Sequence, residues 1–231
     1  AGVGADDLRR RAHDSPTTLA AISRGSRIVL PASFLPGPVG MMIPRTGDGR
    51  VLFAIPWHGH LMLGTTDVAA NGVTWEPKAS DAEVEFIVDT ARGYLQAPPS
   101  AADVLATFAG LRPLFSPRAA KATKTISREH AIVIEHGNLI TVIGGKWTTY
   151  RKMALDALDQ AVRTGWLDAR PCMTAEMKLD VDDSIEAACR AAEATALERR
   201  DDSEIAKFVR LSVRHEQALH ADDVVARRLR V

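Results

Sequence analysis

Residues 139–162 read LITVIGGKWTTYRKMALDALDQAV. A run of apolar β-formers leads into Gly144 and Gly145, then Lys146, two threonines, and an amphipathic stretch with helical spacing. The pattern predicts a strand, a turn, and a helix over about Thr149–Thr164. Paired glycines let the backbone approach a neighbour closely, and free N–H groups at a helix start beside a lysine suit an anion. A plain tight turn has the same appearance. The segment is not a P-loop, because Trp147 follows Lys146 where that motif needs Ser or Thr.

Outward from this segment, the 231-residue chain is long enough for one large domain or two small ones. Hydrophobic residues make up 46% and charged residues 25%, the balance of an ordinary globular protein. Lys+Arg and Asp+Glu are 29 each, so net charge offers no signature of nucleic acid or of an acidic partner. The two cysteines, Cys172 and Cys189, are too few for a disulfide framework, which favours a reducing compartment. No apolar run is long enough to span a bilayer, and no signal-peptide core precedes the first element. The sequence opens at Ala1 with AGVGADDLRR and no preceding strand, which reads as a piece of a longer or processed protein.

Residues 5–23 read as a short polar helix and a connector, broken at Pro16. From Ser26 the character turns to β: RIVLPAS, VLFAIPW and LMLGTT are short, aliphatic and separated by Gly/Pro turns such as TGDG. At Ser80, SDAE is a capping box opening a helix with Val84, Ile87, Val88, Ala91, Tyr94 and Leu95 on one face, stopped by Pro98-Pro99. Strands return at VLATFAGLRPL, AIVIEH and LITVIG, and the remainder is helical at about 183–199, 203–219 and from Ala221. The expected fold class is α+β, a mixed sheet with helices followed by a small helical domain.

Several short motifs carry potential chemistry. GTTD at 64–67 either ends a strand through side-chain-to-backbone bonds or contributes to a site. Arg112, inside the apolar segment GLRPL, needs either an ion partner within the fold or an anionic ligand, since an unpaired buried cation is costly. Arg128 and His130 in SREH raise the same choice against a solvated strand edge. His58 and His60 in PWHGH lack supporting Asp, Glu or Cys, so no metal is expected. GxSxG, HExxH and a strand-led GxGxxG are all absent.

Taken in order, GSRIVLP, GRVLFAIPW, LGTTD, DVLATFAGLRPL, SREHAI and ITVIGGKWTTYRKMA resemble the FAD-dependent, aerobic glycerol-3-phosphate dehydrogenases. The resemblance is dense over residues 24–165 and extends to the tail VRHEQALHADDVVARRLR. AGVGADDL is similar to that family's opening AGPWAD-type segment, with Val-Gly for Pro-Trp. It implies an amino-acid-oxidase-like flavoprotein. Residues 1–23 would be a remnant of the FAD domain and a connector, and 24–135 a substrate-binding cap. Residues 136–165 would be the segment returning to the FAD domain, and 166–231 a C-terminal helical domain.

The implied reaction is hydride transfer from glycerol 3-phosphate to FAD, giving dihydroxyacetone phosphate, with electrons passed to quinone. The resemblance also implies a cytoplasmic enzyme, peripheral at the inner face of the plasma membrane, with a homodimer among its assemblies and no nucleic-acid partner. Arg112 and Lys146 match the catalytic positions, and Arg27, Arg112, Arg128 and Lys146 the substrate-binding cations. Gly144, Gly145, Lys146, Trp147, Thr148 and Thr149 match the cofactor-binding segment. A dianionic phosphate ester calls for several such cations, and arginine meets phosphate bidentately. Two departures stand out. Arg27 occupies a position where family members often carry His, and the N-terminal dinucleotide-binding unit is missing, so the piece is expected to be inactive alone. A flavin amine or amino-acid oxidase and a non-catalytic phosphate-ester-binding fragment are the competing readings.

Overall fold

A computed structural model describes residues 2–12, 17–116, 126–135, 139–178, 182–199 and 201–229. The first element, α1 (Ala5–Ala12), is followed by β1 (Ala20–Pro31), a strand long enough to organise the sheet around it. β1 pairs with β4 (His60–Gly64) and β5 (Val68–Ala69) along one edge and with β6 (Ala106–Phe115) along the other. β2 (Met41–Ile43) and β3 (Leu52–Trp57) extend the sheet beyond β4, giving the order β2-β3-β4-β1-β5 with β6 on the far side of β1. Every described pairing is antiparallel, so the expected mixed sheet is an antiparallel one. The β2–β3 and β3–β4 links are too short for the crossovers that parallel neighbours require.

Strand alternation sorts the side chains into two faces. Ile28, Leu30, Ile43, Leu52, Ala54, Leu61 and Leu63 are buried against Ile87, Val88 and Ala91 of α2 (Asp81–Arg92). Burying each such side chain stabilises the fold by about 1.5–3 kcal/mol. The opposite face carries the register row Met42, Phe53, Gly64, Arg27 and Phe108 across β2, β3, β4, β1 and β6. Met42, Phe53 and Phe108 on that face are exposed.

Ser80 and Glu83 form the expected capping box of α2. Glu83, however, does far more than cap. Its carboxylate is buried and accepts hydrogen bonds from Ser26 Oγ (2.8 Å) and Thr66 Oγ1 (2.7 Å) on one oxygen. Ser80 N–H (3.1 Å) and Oγ (2.8 Å) donate to the other oxygen, which also meets Arg24 Nη2 at 2.6 Å. Helix, central strand and the GTTD segment thus share one anion.

Four boundaries differ from the sequence reading. β1 begins at Ala20 rather than Ser26, because β6 supplies partners for Ala20 through Ser23 that no local signal reveals. α2 ends at Arg92, before the prolines: Tyr94 and Leu95 N–H both turn back to the Ala91 carbonyl, and Leu95 is buried in the core beside the helix. α3 (Tyr150–Arg163) closes on Gly165 at φ +77°, with Gly165 N–H to Val162 O and Trp166 N–H to Ala161 O. That pair of bonds is the Schellman arrangement, which glycine adopts without steric cost. α5 (Asp202–His215) stops short of Leu219, since Gln217 sits at φ +54°.

β7 (His130–Glu135) and β8 (Leu139–Gly144) form an antiparallel hairpin. α1 is fastened to this part of the fold through charge. Arg9 Nε and Nη2 donate to Glu135 at 2.6 and 2.5 Å, while Asp6 accepts from Arg9 and from the Leu19 and Ala20 N–H groups.

The chain divides into two compact units, Ala1–Cys172 and Met173–Val231. The second consists of α4 (Asp183–Arg199), α5 and α6 (Ala221–Val224), followed by a π-helical turn over Val225–Leu229. Its core gathers Ala192, Ala196, Phe208, Ala218 and Val224. Asp201 caps α5 by accepting from Ser203 and Glu204 N–H.

Burial on its own would raise the Glu83 carboxyl, but the bonds from Thr66, Ser80 and Ser26 hold it down at about 2. A depressed carboxylate contributes stability that is complete above its unfolded value of 4.5 and disappears as pH falls toward about 2. The contribution is about 3 kcal/mol at neutral pH, at 1.36 kcal/mol per pKa unit. Glu83→Gln should lose stability of that order at pH 7 and flatten the decline between pH 4.5 and 2 in urea titrations. An unchanged pH profile would show that Glu83 is not the group responsible.

Candidate functional site

Between β4 and β5 the chain takes one step more than the strand opposite. The register runs from Arg27↔Gly64 to Arg24↔Val68, so four residue steps face three. Such an extra residue locally re-aims side chains. Thr66 turns to the α2 side, where its Oγ1 accepts Ser26 N–H (2.8 Å) and donates to Glu83. Thr65 and Asp67 turn to the open face. GTTD therefore bonds to residues distant in sequence and belongs to a polar cluster.

Arg112 of β6 reaches this segment from across the sheet. Its Nη2 donates to Thr65 Oγ1 (2.9 Å), and its Nη1 to the Thr66 carbonyl (3.2 Å) and Ser23 Oγ (3.5 Å). The guanidinium lies flat over Gly25, where a Cβ would overlap it. A glycine inside a strand often marks such a close approach. Arg112 has no ion pair among the described residues; its partners are hydroxyls and a carbonyl.

Three further arginines surround it. Arg128, ahead of β7, donates from Nη2 to Asp67 Oδ2 at 2.6 Å and keeps 44% of its side chain exposed. Arg50 bonds the Asp67 carbonyl from Nη1 (2.8 Å) and is paired with Asp48 in its own turn. Arg27 extends from β1 on the same face as Arg112, with its guanidinium carbon 6.0 Å from the Phe108 ring centroid and no carboxylate partner among the described residues. Gly64 opposite makes room, since a Cβ there would fall 2.6 Å from Arg27 Cγ. Burial, together with the charges of Arg128, Arg27 and Arg50, pushes the Arg112 guanidinium below its ordinary value, against an opposing pull from Asp67. Arginine stays protonated regardless. The consequence is a cluster of four arginines around Asp67 and Asp48, an excess of positive charge that an anion would stabilise.

Arg27, Arg112 and Arg128 are thus brought together, and Lys146 is not in ion-pair or hydrogen-bond contact with them among the described residues. Gly144 and Gly145 lie at φ +75° and +81°, where side chains are strained. Both are also packed: a Cβ on Gly144 would meet Glu129 O at 2.6 Å, and one on Gly145 would meet Met153 Sδ at 2.5 Å and His130 Cβ at 3.0 Å. The turn places Lys146 immediately ahead of a 3-10 turn, Trp147–Thr149, that leads into α3. Thr149 Oγ1 closes it by donating to the Lys146 carbonyl at 2.9 Å. Lys146, Trp147, Thr148 and Thr149 are exposed, Trp147 by 87%. The first N–H groups of such a turn have no intrahelical acceptor. His130 is held by Asp156 of α3 (Nε2···Oδ2 2.9 Å), a carboxylate that also accepts from Lys152.

Ser23, Gly25 and Arg50 were not singled out by sequence, and Thr65 and Asp67 only as part of the GTTD motif. The available signal was glycine inside strands, at Gly25, Gly64 and Gly110. His58 and His60 flank the β3–β4 turn, and no group of three metal-ligating side chains converges among the described residues.

An antiparallel sheet with a helix on one face and clustered cations on the other defines an oxidoreductase-type scaffold only with further support. The comparisons supply it: the family model "FAD dependent oxidoreductase" matches residues 1–151, and the chain belongs to that family. Among curated relatives, the mitochondrial glycerol-3-phosphate dehydrogenase SDP6 of Arabidopsis thaliana is 39% identical over 180 residues, 78% of this chain and 28% of that protein. The mitochondrial glycerol-3-phosphate dehydrogenase of Bos taurus is 39% identical over 175 residues, 75% of this chain and 24% of that protein. The chain therefore spans between 24% and 28% of the length of these relatives. The glycerol-3-phosphate dehydrogenase of Bacillus halodurans, solved in complex with FAD, shares the fold with a TM-score of 0.74 at 23% identity. The match covers 100% of this chain and 52% of that one.

The Gly25 contact is directly testable. Gly25→Ala should displace the Arg112 guanidinium and weaken binding of inorganic phosphate by the full-length protein at least tenfold, or about 1.4 kcal/mol. The thermal midpoint should move by only a few degrees, about 1 kcal/mol or less. Phosphate affinity at the wild-type level would show that Arg112 does not depend on the missing Cβ.

Proposed function

We propose that the full-length protein oxidises sn-glycerol 3-phosphate to dihydroxyacetone phosphate, with FAD as hydride acceptor and a quinone as the next electron acceptor. The observation that carries the reading is Arg112, a half-buried cation whose hydrogen-bond partners among the described residues are neutral, flanked by Arg27 and Arg128 on one open face. A phosphate ester supplies the missing negative charge, and a dianion does so better than the single carboxylate of an amino acid. The names of the relatives point the same way.

In this reading residues 24–135 form the substrate cap, and 136–165 return to the cofactor. Arg112, Arg128 and Arg27 hold the phosphate and orient C2. Arg27 cannot serve as a proton acceptor, because its guanidinium does not deprotonate in proteins. The turn Gly144–Thr149 fits a flavin edge: its glycines keep the backbone tight, its residues from Lys146 onward are exposed, and Lys146 adds a cation where negative charge develops. Bound FAD supplies the two-electron acceptor for the C2 hydride, while the hydroxyl proton leaves to a base. Resemblance alone supports the quinone, a peripheral position at the inner face of the plasma membrane, and a homodimer. No described helix is long and apolar enough to cross a membrane.

Arg112→Ala in the full-length enzyme should lower kcat/KM by the equivalent of about 2–5 kcal/mol, the scale for removing one member of a buried charge pair. Wild-type kcat/KM in that variant would overturn the phosphate-pocket assignment. Lys146→Met separates the remaining roles. A site lysine should lose at least tenfold in kcat/KM, about 1.4 kcal/mol, with an unchanged melting temperature. A smaller loss with glycerol would place the cation at the phosphate, whereas equal losses would place it at the flavin. No loss with either would make GGK an ordinary turn.

A further inference from the structure

We infer that Asp67 is a positioning residue for the anion site: it holds Arg128 in place from beneath rather than meeting the ligand itself. The inference rests on the anion-site reading above. The Asp67 side chain is 3% exposed, whereas that of its partner Arg128 is 44% exposed. One carboxylate oxygen accepts from Ser23 Oγ and the other takes Arg128 Nη2 at 2.6 Å. Its backbone carbonyl is held by Arg50, and Ala70 N–H to Ile22 O fastens the strand that follows. The carboxylate is therefore fixed on three sides, while the arginine it anchors stays partly exposed.

A buried carboxylate among arginines would ordinarily be unfavourable for anion binding, because it cancels positive charge. Its geometry suggests why it is tolerated. Arg128 comes from the segment before β7, outside the large sheet, and its reach to the Arg112 face runs through Asp67. A long side chain left free loses rotamer entropy when it binds a ligand. Anchoring on a fixed carboxylate removes that cost beforehand, while the remaining N–H groups of the guanidinium fork stay available for phosphate. Asp67 also draws Arg112 electrostatically, so one anion organises two cations. The sheet bulge at 64–68 is what turns Asp67 to this face.

The test uses the full-length protein, with inorganic phosphate titrations alongside steady-state kinetics. Wild type should bind phosphate and Arg112→Ala should weaken it; failure of either defeats the anion-site reading, whatever Asp67 does. Given that, Asp67→Asn should raise the phosphate Kd and the substrate KM about tenfold, with kcat within about threefold, a loss of about 1.4 kcal/mol in binding. Arg128→Ala should cost about tenfold in wild type and less than about twofold in the Asp67→Asn background, because the variant has already released Arg128. Additive losses would reduce Asp67 to a structural residue, and so would a wild-type Kd. Tighter phosphate binding would show that it merely dilutes positive charge. Should Asp67→Asn fail to fold, Ser23→Ala, which removes the Ser23 hydroxyl donor to the carboxylate, is expected to raise the phosphate Kd about threefold and to couple to Arg128→Ala in the same way. Additivity in that pair would equally overturn the proposal.

Discussion

Everything on the open face of the sheet depends on a carboxylate on the other. Glu83 is buried, ionised, and shared among the start of α2, the middle of β1 and Thr66. A charge in that position is tolerated only because each of its oxygens is met by donors and Arg24 lies beside it. The arrangement holds more than a helix. With Thr66 drawn to the α2 side, its neighbours Thr65 and Asp67 are left facing the opposite way. The polar site is in this sense a by-product of how the core is closed.

Charge is arranged differently on the two faces. Beneath α2, one anion is fully satisfied by hydroxyls, an N–H and an arginine. On the open side, Arg27 and Arg112 have no carboxylate partner among the described residues, and Asp67 pairs with Arg128. A satisfied buried ion rigidifies a fold, whereas an unsatisfied cluster stores attraction for something that binds. Membership in the FAD dependent oxidoreductase family gives that attraction a chemical setting. The aromatic and aliphatic residues along the same row, Phe53 and Phe108 among them, leave one sheet face apolar beside the cations.

The turn after β8 combines two demands that usually conflict. Gly144 and Gly145 are needed for packing, since their positive φ and close neighbours exclude side chains. Lys146 to Thr149, which follow them, are exposed and make no ion pair among the described residues. A tightly packed base with an exposed rim is suited to presenting a lysine outward. Of the two readings between which the motif alone gave no choice, the tight turn describes Gly144 and Gly145, and the ligand loop is what we propose for the exposed residues after them.

Much of the architecture was legible from local pattern. Ser80 and Glu83 marked the start of α2, the aliphatic run VLFAIPW between Gly/Pro turns marked β3, and helical spacing marked α3, because these signals arise within one or two turns of chain. Composition and the isolated arginine in GLRPL were enough to ask for an anion or a partner. What sequence could not supply was the pairing. Only the register of β1 with β6 sets Arg112 opposite Ser23 and over Gly25, and only the extra step between Gly64 and Val68 turns Asp67 toward Arg128. Those contacts join residues 61 to 89 positions apart, and no local preference encodes which strands will lie side by side.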